Sequence, residues 1–156
     1  MSSGNPMVKD CKRTLGDRKA SFWERTDYDR AFRGSFGQYM TDVESRALER
    51  VLGSERFSLL LDLGCGHGRF LRWLAPRGER LIGLDRSWRL LGVARTDLEQ
   101  DPLDRPLSLL WASATELPLA TDAIDAITCV RVIQHVPDQE LALSEARRVL
   151  RPGGRL

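Results

Sequence analysis

The residues with the strongest chemical potential lie between positions 59 and 86. An apolar run, Leu59-Leu60-Leu61-Asp62-Leu63, breaks into glycines at 64, 66 and 68, with Cys65 and His67 between them and Arg69-Phe70 after. One carboxylate, Asp62, precedes the first glycine by two positions, and another, Asp85, follows it by 21 and is itself followed by Arg86. Glycine at alternate positions permits positive φ and close approach to the backbone, which a side chain would block. A helix opening after Gly68 would turn unpaired N–H groups and its positive dipole end toward the turn. This pattern predicts a small-molecule cradle built from backbone and suited to a carboxylate or phosphate. A carboxylate at 85 can accept hydrogen bonds from two vicinal ribose hydroxyls.

A strand, a turn and a helix must hold these groups in place. Residues 57–63 are apolar almost throughout, as expected of a parallel strand covered on both faces. Before it, 41–52 reads as a helix, with Thr41 as N-cap, Val43, Ala47, Leu48 and Val51 on one face, and Gly53 as the stop. After the glycines, a short helix carries Phe70, Leu71 and Leu74 and ends at Pro76 and Gly78. Arg80 to Asp85 is a second strand, and Ser87 caps a helix with Leu90, Leu91, Ala94 and Leu98 on its apolar face. Leu107–Trp111 and Ile124–Val130 are strands three and four, separated by the loop 112–123. Asp138 caps a last helix whose Ala142, Ala146, Val149 and Leu150 recur at helical spacing. Arg151-Pro152-Gly153-Gly154 ends it, and Arg155-Leu156 begins a fifth strand. This alternation predicts an α/β domain, a Rossmann-like doubly wound parallel sheet with helices on both faces. Ligands of such sheets lie beyond the carboxyl ends of the strands.

The dinucleotide fingerprint G-x-G-x-x-G needs its third glycine at 69, where this chain has Arg69. The glycines run G-x-G-x-G instead. Asp62 to Gly68 resembles motif I of class I S-adenosylmethionine-dependent methyltransferases (methyltransferase type 11-like domains), often written L-D-L-G-C-G-x-G. Ala112-Ser113-Ala114-Thr115-Glu116-Leu117-Pro118 resembles that family's G-D-A-x-x-L-P segment. Ile124 to Val136 resembles its F-D-x-V-x-S-x-x-V-L-H-H-V stretch.

The resemblance implies S-adenosylmethionine as cofactor, held by Asp62, Gly64, Cys65, Gly66, Gly68, Asp85, Arg86, Ser113, Ala114 and Val130. Ser113 stands where the family has an Asp that accepts from the adenine amino group. A hydroxyl there accepts without charge and leaves more of the work to backbone. Val130 falls near the sulfonium, and Gln134-His135 at the mouth of the site. Arg131 and Gln134 depart from the commoner residues. His135 is a candidate general base, since imidazole as a rule titrates near neutral pH, and an equally simple reading makes it a turn cap. Trp88 either lies on the adenine or packs helix against sheet. Tyr28-Asp29, in a segment with six aromatic residues between 22 and 40, resembles a pair that helps cover the cofactor in many small members, and an equal reading packs the segment onto the domain.

The composition fits a globular domain. Of 156 residues, 42% are hydrophobic and 29% charged, which excludes disordered and membrane-spanning classes. The net charge of +2 argues against a strong polyanion preference. Cys11, Cys65 and Cys129 have no metal-ligand spacing, so no metal is predicted, and a reducing cytoplasm is the default compartment. Residues 1–21 read as a mobile polar leader and 22–156 as the cofactor-binding domain.

The sulfonium methyl is already activated, so such an enzyme needs alignment of an O, N, S or C nucleophile more than a reactive side chain. The acceptor is open between small metabolites, quinone-type rings and modified tRNA bases. By this resemblance the chain is expected to be C-terminally truncated, without the family's later strands. Strand four is therefore expected to form an open edge, weakly stable alone, to be completed by a further segment or a protein partner. A nicotinamide-dependent oxidoreductase domain and a non-catalytic fragment acting through that edge are the competing readings.

Overall fold

The computed structural model describes Phe32 and residues 34–156. The leader at 1–21 and the pair Tyr28-Asp29 lie outside the described residues. The elements are α1 (Ser35–Leu52), β1 (Phe57–Leu63), α2 (Leu71–Leu74), β2 (Gly78–Asp85), α3 (Trp88–Gln100), β3 (Leu107–Trp111), β4 (Ile124–Thr128), α4 (Gln139–Val149) and β5 (Leu150–Arg155). One turn of 3-10 helix, Ala75–Arg77, follows α2, and another, Ile133–His135, precedes α4.

The five strands form one sheet in the order β3-β2-β1-β4-β5. Every pairing is parallel, with Leu61 facing both Ile82 and Ile127 across the central strand. The doubly wound parallel sheet expected from the alternation is therefore present. Side chains alternate faces along a strand, and β1 shows it. Leu59, Leu61 and Leu63 join Ile82, Leu84, Ala146 and Val149 beneath α4. Leu60 joins Leu52, Phe70, Leu74 and Leu81 beneath α1 and α2. Asp62 shares the parity of Leu60 and so lies on the α1 side. Among the described residues, no helix is long and apolar enough to cross a membrane.

Four expectations shift. Helix α1 begins at Ser35, and Thr41 lies inside it, donating its hydroxyl to the Gly37 carbonyl at 2.8 Å. Its packed stripe carries Leu48 and Leu52, whereas Val43 and Val51 are exposed, so the inward face runs through 44, 48 and 52. The helix after the glycines is a single α turn. Strand β4 stops at Thr128.

The largest correction concerns β4, which is not an open edge. β5 begins at Leu150, directly after α4, and pairs with it through Ile124↔Leu150 and Ala126↔Arg155 with a bulge between. The four residues Arg151-Pro152-Gly153-Gly154 do not merely end the helix. Gly153, at φ 78°, absorbs the bulge, and the parallel strand continues to Arg155. Asp125 fastens this edge: one carboxylate oxygen accepts from the Leu59 N–H at 2.8 Å and the other pairs with Arg151 at 2.9 Å.

Candidate ligand-binding site

Because the strands are parallel, their carboxyl ends share one edge, and a cavity of about 350 Å³ opens there. Small-molecule sites commonly enclose about 300–1,000 Å³. Gly64 and Gly66 line it from β1, Asp85 and Arg86 from β2, Ala112, Ser113 and Ala114 from β3, and Val130, Arg131 and His135 from β4 and the loop beyond.

The glycine turn supplies room rather than donors. Gly64, Gly66 and Gly68 have φ of 75°, 56° and 85°, a region in which any other residue is strained. A Cβ on Gly64 would come within 2.2 Å of a Val132 methyl. Four of its N–H groups are already taken. Gly64 and Cys65 both donate to the Leu84 carbonyl, Gly68 to the Cys65 carbonyl, and Gly66 to Asp85. The turn is thereby bolted to the end of β2, and α2 is too short to offer a helix dipole.

Asp85 is the bolt. Its Oδ2 accepts from Gly66 N–H and its Oδ1 from Ser87 N–H, both at 2.8 Å. Burial raises its pKa, and these two donors, with the Arg86 charge nearby, oppose the rise. The Arg86 N–H also favours the charged form, and since a carboxylate has about four acceptor sites, capacity remains for a ligand hydroxyl. Ser87 then caps α3 by accepting from Leu90 N–H at 3.3 Å, as its position predicts.

Asp62 is recessed behind the wall. Its Oδ1 accepts from the Thr128 hydroxyl at 2.8 Å. Its Oδ2 is buried and has no hydrogen-bond partner among the described residues. Desolvation pushes its pKa up to about 7; the Thr128 hydrogen bond opposes this, the Asp85 charge adds to it, and the Arg69 charge lowers it. A buried carboxylate oxygen without a donor costs free energy unless a cation or donor arrives.

On the β3 side, the Ser113 hydroxyl is engaged locally. It shares a 2.8 Å hydrogen bond with the Thr115 hydroxyl and accepts from Thr115 N–H. Trp111 ties β3 to β2 by donating its indole N–H to the Arg86 carbonyl at 2.8 Å. The loop beyond is clamped onto α4, where Arg148 donates to the carbonyls of Leu117 and Leu119 and Glu145 accepts from Leu117 N–H. Trp88 is 63% exposed and off the cavity wall, so it does not pack helix against sheet.

Over the glycine turn lies a cluster that the sequence reading missed. Glu44 of α1 pairs with Arg69 at 2.6 Å and also with the Arg131 guanidinium. The Arg69 guanidinium sits between the rings of Phe32 and Phe70 at 4.7 and 4.3 Å. The only signal was the spacing of Glu44 with Leu48 and Leu52, which needed the correct helix face to be legible. Of the predicted site residues, Gly64, Gly66, Asp85, Arg86, Ser113, Ala114, Val130 and His135 converge on the cavity. Asp62, Cys65 and Gly68 stand behind it. The Cys65 thiol belongs to a small core with Leu71 and Leu91, and burial, with help from the Asp62 and Asp85 charges, raises its pKa well above the usual thiol value. Gly68 packs closely on Leu71 and Ala94.

Comparison with known proteins gives a family match. The methyltransferase domain matches residues 61–156. The methyltransferase GfsG of Streptomyces halstedii is 36% identical over 121 residues, covering 77% of this chain and 42% of that protein. A ubiquinone biosynthesis O-methyltransferase of Azoarcus sp. is 35% identical over 97 residues, covering 61% of this chain and 40% of the relative. This chain thus spans less than half the length of either. A SAM-dependent methyltransferase structure from Aquifex aeolicus superposes with a TM-score of 0.62 at 20% identity, over 69% of this chain and 58% of that one, a likeness of fold.

Proposed function

Because the chain belongs to the methyltransferase-domain family, we propose that its cavity binds S-adenosyl-L-methionine and aligns it for methyl transfer to an O, N, S or C nucleophile of a small molecule or modified base. The observation that carries this reading is Asp85. It is a buried carboxylate at the end of β2, fixed by backbone donors and still able to accept from a ligand hydroxyl. The orphaned Asp62 Oδ2 fits the same group, since the amino-acid end of the cofactor carries an ammonium.

When bound, the cofactor supplies an activated methyl on a sulfonium. The chain binds and orients. Asp85 accepts from the ribose, with Arg86 beside it. Backbone at Ser113 and Ala114 meets the adenine edge, the serine hydroxyl being spent on Thr115. Val130 contributes apolar wall, and Gly64 and Gly66 give the clearance. His135, exposed at the mouth, takes the acceptor's proton when that acceptor needs deprotonation. Beyond the outer edge of β5, a further segment or a partner chain adds its own strand.

Calorimetric titration of the chain with S-adenosylmethionine, with NADH as control, tests the reading. Saturable binding of the former that Asp85→Ala abolishes is the expected result. A folded chain that binds neither, or binds NADH instead, sinks it.

A further inference from the structure

Arg131 has a feature that the cofactor reading leaves unused. Its φ is 58°, a left-handed conformation that strains a residue with a Cβ. Strain of this kind persists where surrounding structure enforces it, and it gathers at ligand sites. Here it turns the chain between β4 and the 3-10 turn and leaves Arg131 on the cavity wall, reaching Glu44 on α1.

The charge around it is out of balance. Glu44 is one carboxylate divided between two guanidiniums, Arg69 and Arg131. The Arg69 and Glu44 side chains are only 9% and 16% exposed, whereas Arg131 is 44% exposed, so the uncompensated charge is the one that faces the mouth of the cavity. Arg131 spends its Nε–H on Glu44, and among the described residues its two Nη groups meet no acceptor. A guanidinium with its Nη edge open matches a carboxylate in shape and charge.

The geometry points to Arg131 as an anion anchor at the mouth of the cavity, taking a carboxylate. That carboxylate comes from the amino-acid end of the cofactor or from an acidic methyl acceptor. The inference rests on the cofactor reading above and deepens it, because one source confines the anchor to cofactor binding and the other restricts the acceptor to acids.

Calorimetry separates the sources. Wild type, Arg131→Gln and Arg131→Lys are titrated with S-adenosylmethionine and with 5′-methylthioadenosine, which lacks the amino-acid end. The same chains, saturated with S-adenosylhomocysteine, are titrated with benzoate and with benzamide. Arg131→Gln is expected to weaken one carboxylate ligand by about tenfold or more, the usual worth of a charged hydrogen bond. Arg131→Lys should recover part of the loss, and the neutral counterparts should bind as in wild type. A loss confined to S-adenosylmethionine assigns the anchor to the cofactor, and one confined to benzoate assigns it to the acceptor. Equal binding of both carboxylates by wild type and Arg131→Gln overturns the proposal, as does an equal loss of methylthioadenosine. If wild type binds methylthioadenosine but prefers neither carboxylate to its neutral counterpart, the anchor falls and the cofactor site stands. If it binds none of them, both fall.

Discussion

Asp62→Asn should make the protein more stable, and increasingly so as pH rises. The folded carboxyl titrates at about 7 against an ordinary value of 3.8, so between those values the native state holds a proton that the unfolded chain has lost. Stability falls with pH wherever the native state binds more protons. The contribution of a protonated Asp62 is therefore intact below about pH 4 and is lost as pH climbs through 7. Between pH 5 and 8.5 the loss amounts to at most about 2.7 kcal/mol for this one group, at 1.36 kcal/mol per unit. An amide at 62 is neutral throughout, and its oxygen can still accept from the Thr128 hydroxyl, so this part of the slope vanishes. Urea unfolding followed by tryptophan fluorescence at pH 5 and pH 8.5 measures the effect. The variant's stability relative to wild type should be greater at pH 8.5 than at pH 5, by up to that amount. Any constant offset from the new amide cancels in the comparison, as do the titrating groups that do not feel the Asp62 charge. A difference within about 0.5 kcal/mol at the two pH values, well below the expected shift, or a larger gain at pH 5, refutes the burial argument. The same variant should bind S-adenosylmethionine more weakly, because it removes the carboxylate oxygen left for the ammonium.

Gly64→Ala should destabilise the fold by about 2–4 kcal/mol, combining positive φ with overpacking against Val132; Val132→Ala should restore part of the melting temperature, and no restoration would mean that the backbone strain dominates. Arg148→Ala should cost about 1.5–3 kcal/mol by removing charged donors from two loop carbonyls, with faster hydrogen exchange concentrated at 112–119 rather than spread over the sheet. Ser113→Asp should tighten S-adenosylmethionine binding about fivefold, the difference between a neutral and a charged hydrogen bond; unchanged affinity in calorimetry would show that the adenine edge is met by backbone alone.

Local sequence was enough for the central strands and their carboxyl-end residues, and the reasons are specific. β1 is buried on both faces, so its apolar run needed no partner to be read. Asp85 and Ser87 act through backbone groups within a few residues or across one neighbouring strand. What stayed hidden depended on distance or on competition. The Arg131–Glu44 pair joins residues 87 apart in sequence, and nothing near either one announces it. Thr41 looked like a cap because hydroxyls cap helices, yet the helix continues back to Ser35 and the hydroxyl bonds within it. The Arg-Pro-Gly-Gly turn reads as punctuation, but a bulge at an edge strand accommodates both its proline and its glycines.

The glycine turn shows why a motif and its mechanism need not coincide. Its pattern suggested exposed N–H groups for an anion, yet those of Gly64, Cys65, Gly66 and Gly68 are consumed on Leu84, Cys65 and Asp85. Beside this turn, much of the polar recognition falls to side chains that burial penalises, above all Asp62 and Asp85, whose carboxyls are both held above their ordinary values. Two like charges recessed under one turn destabilise the empty fold and favour whatever brings donors or a positive charge to them. A ligand with a ribose diol at one end and an ammonium at the other relieves both penalties at once. The cost appears in the ligand-free stability and is recovered on binding, so S-adenosylmethionine should raise the melting temperature more at pH 8 than at pH 5.5.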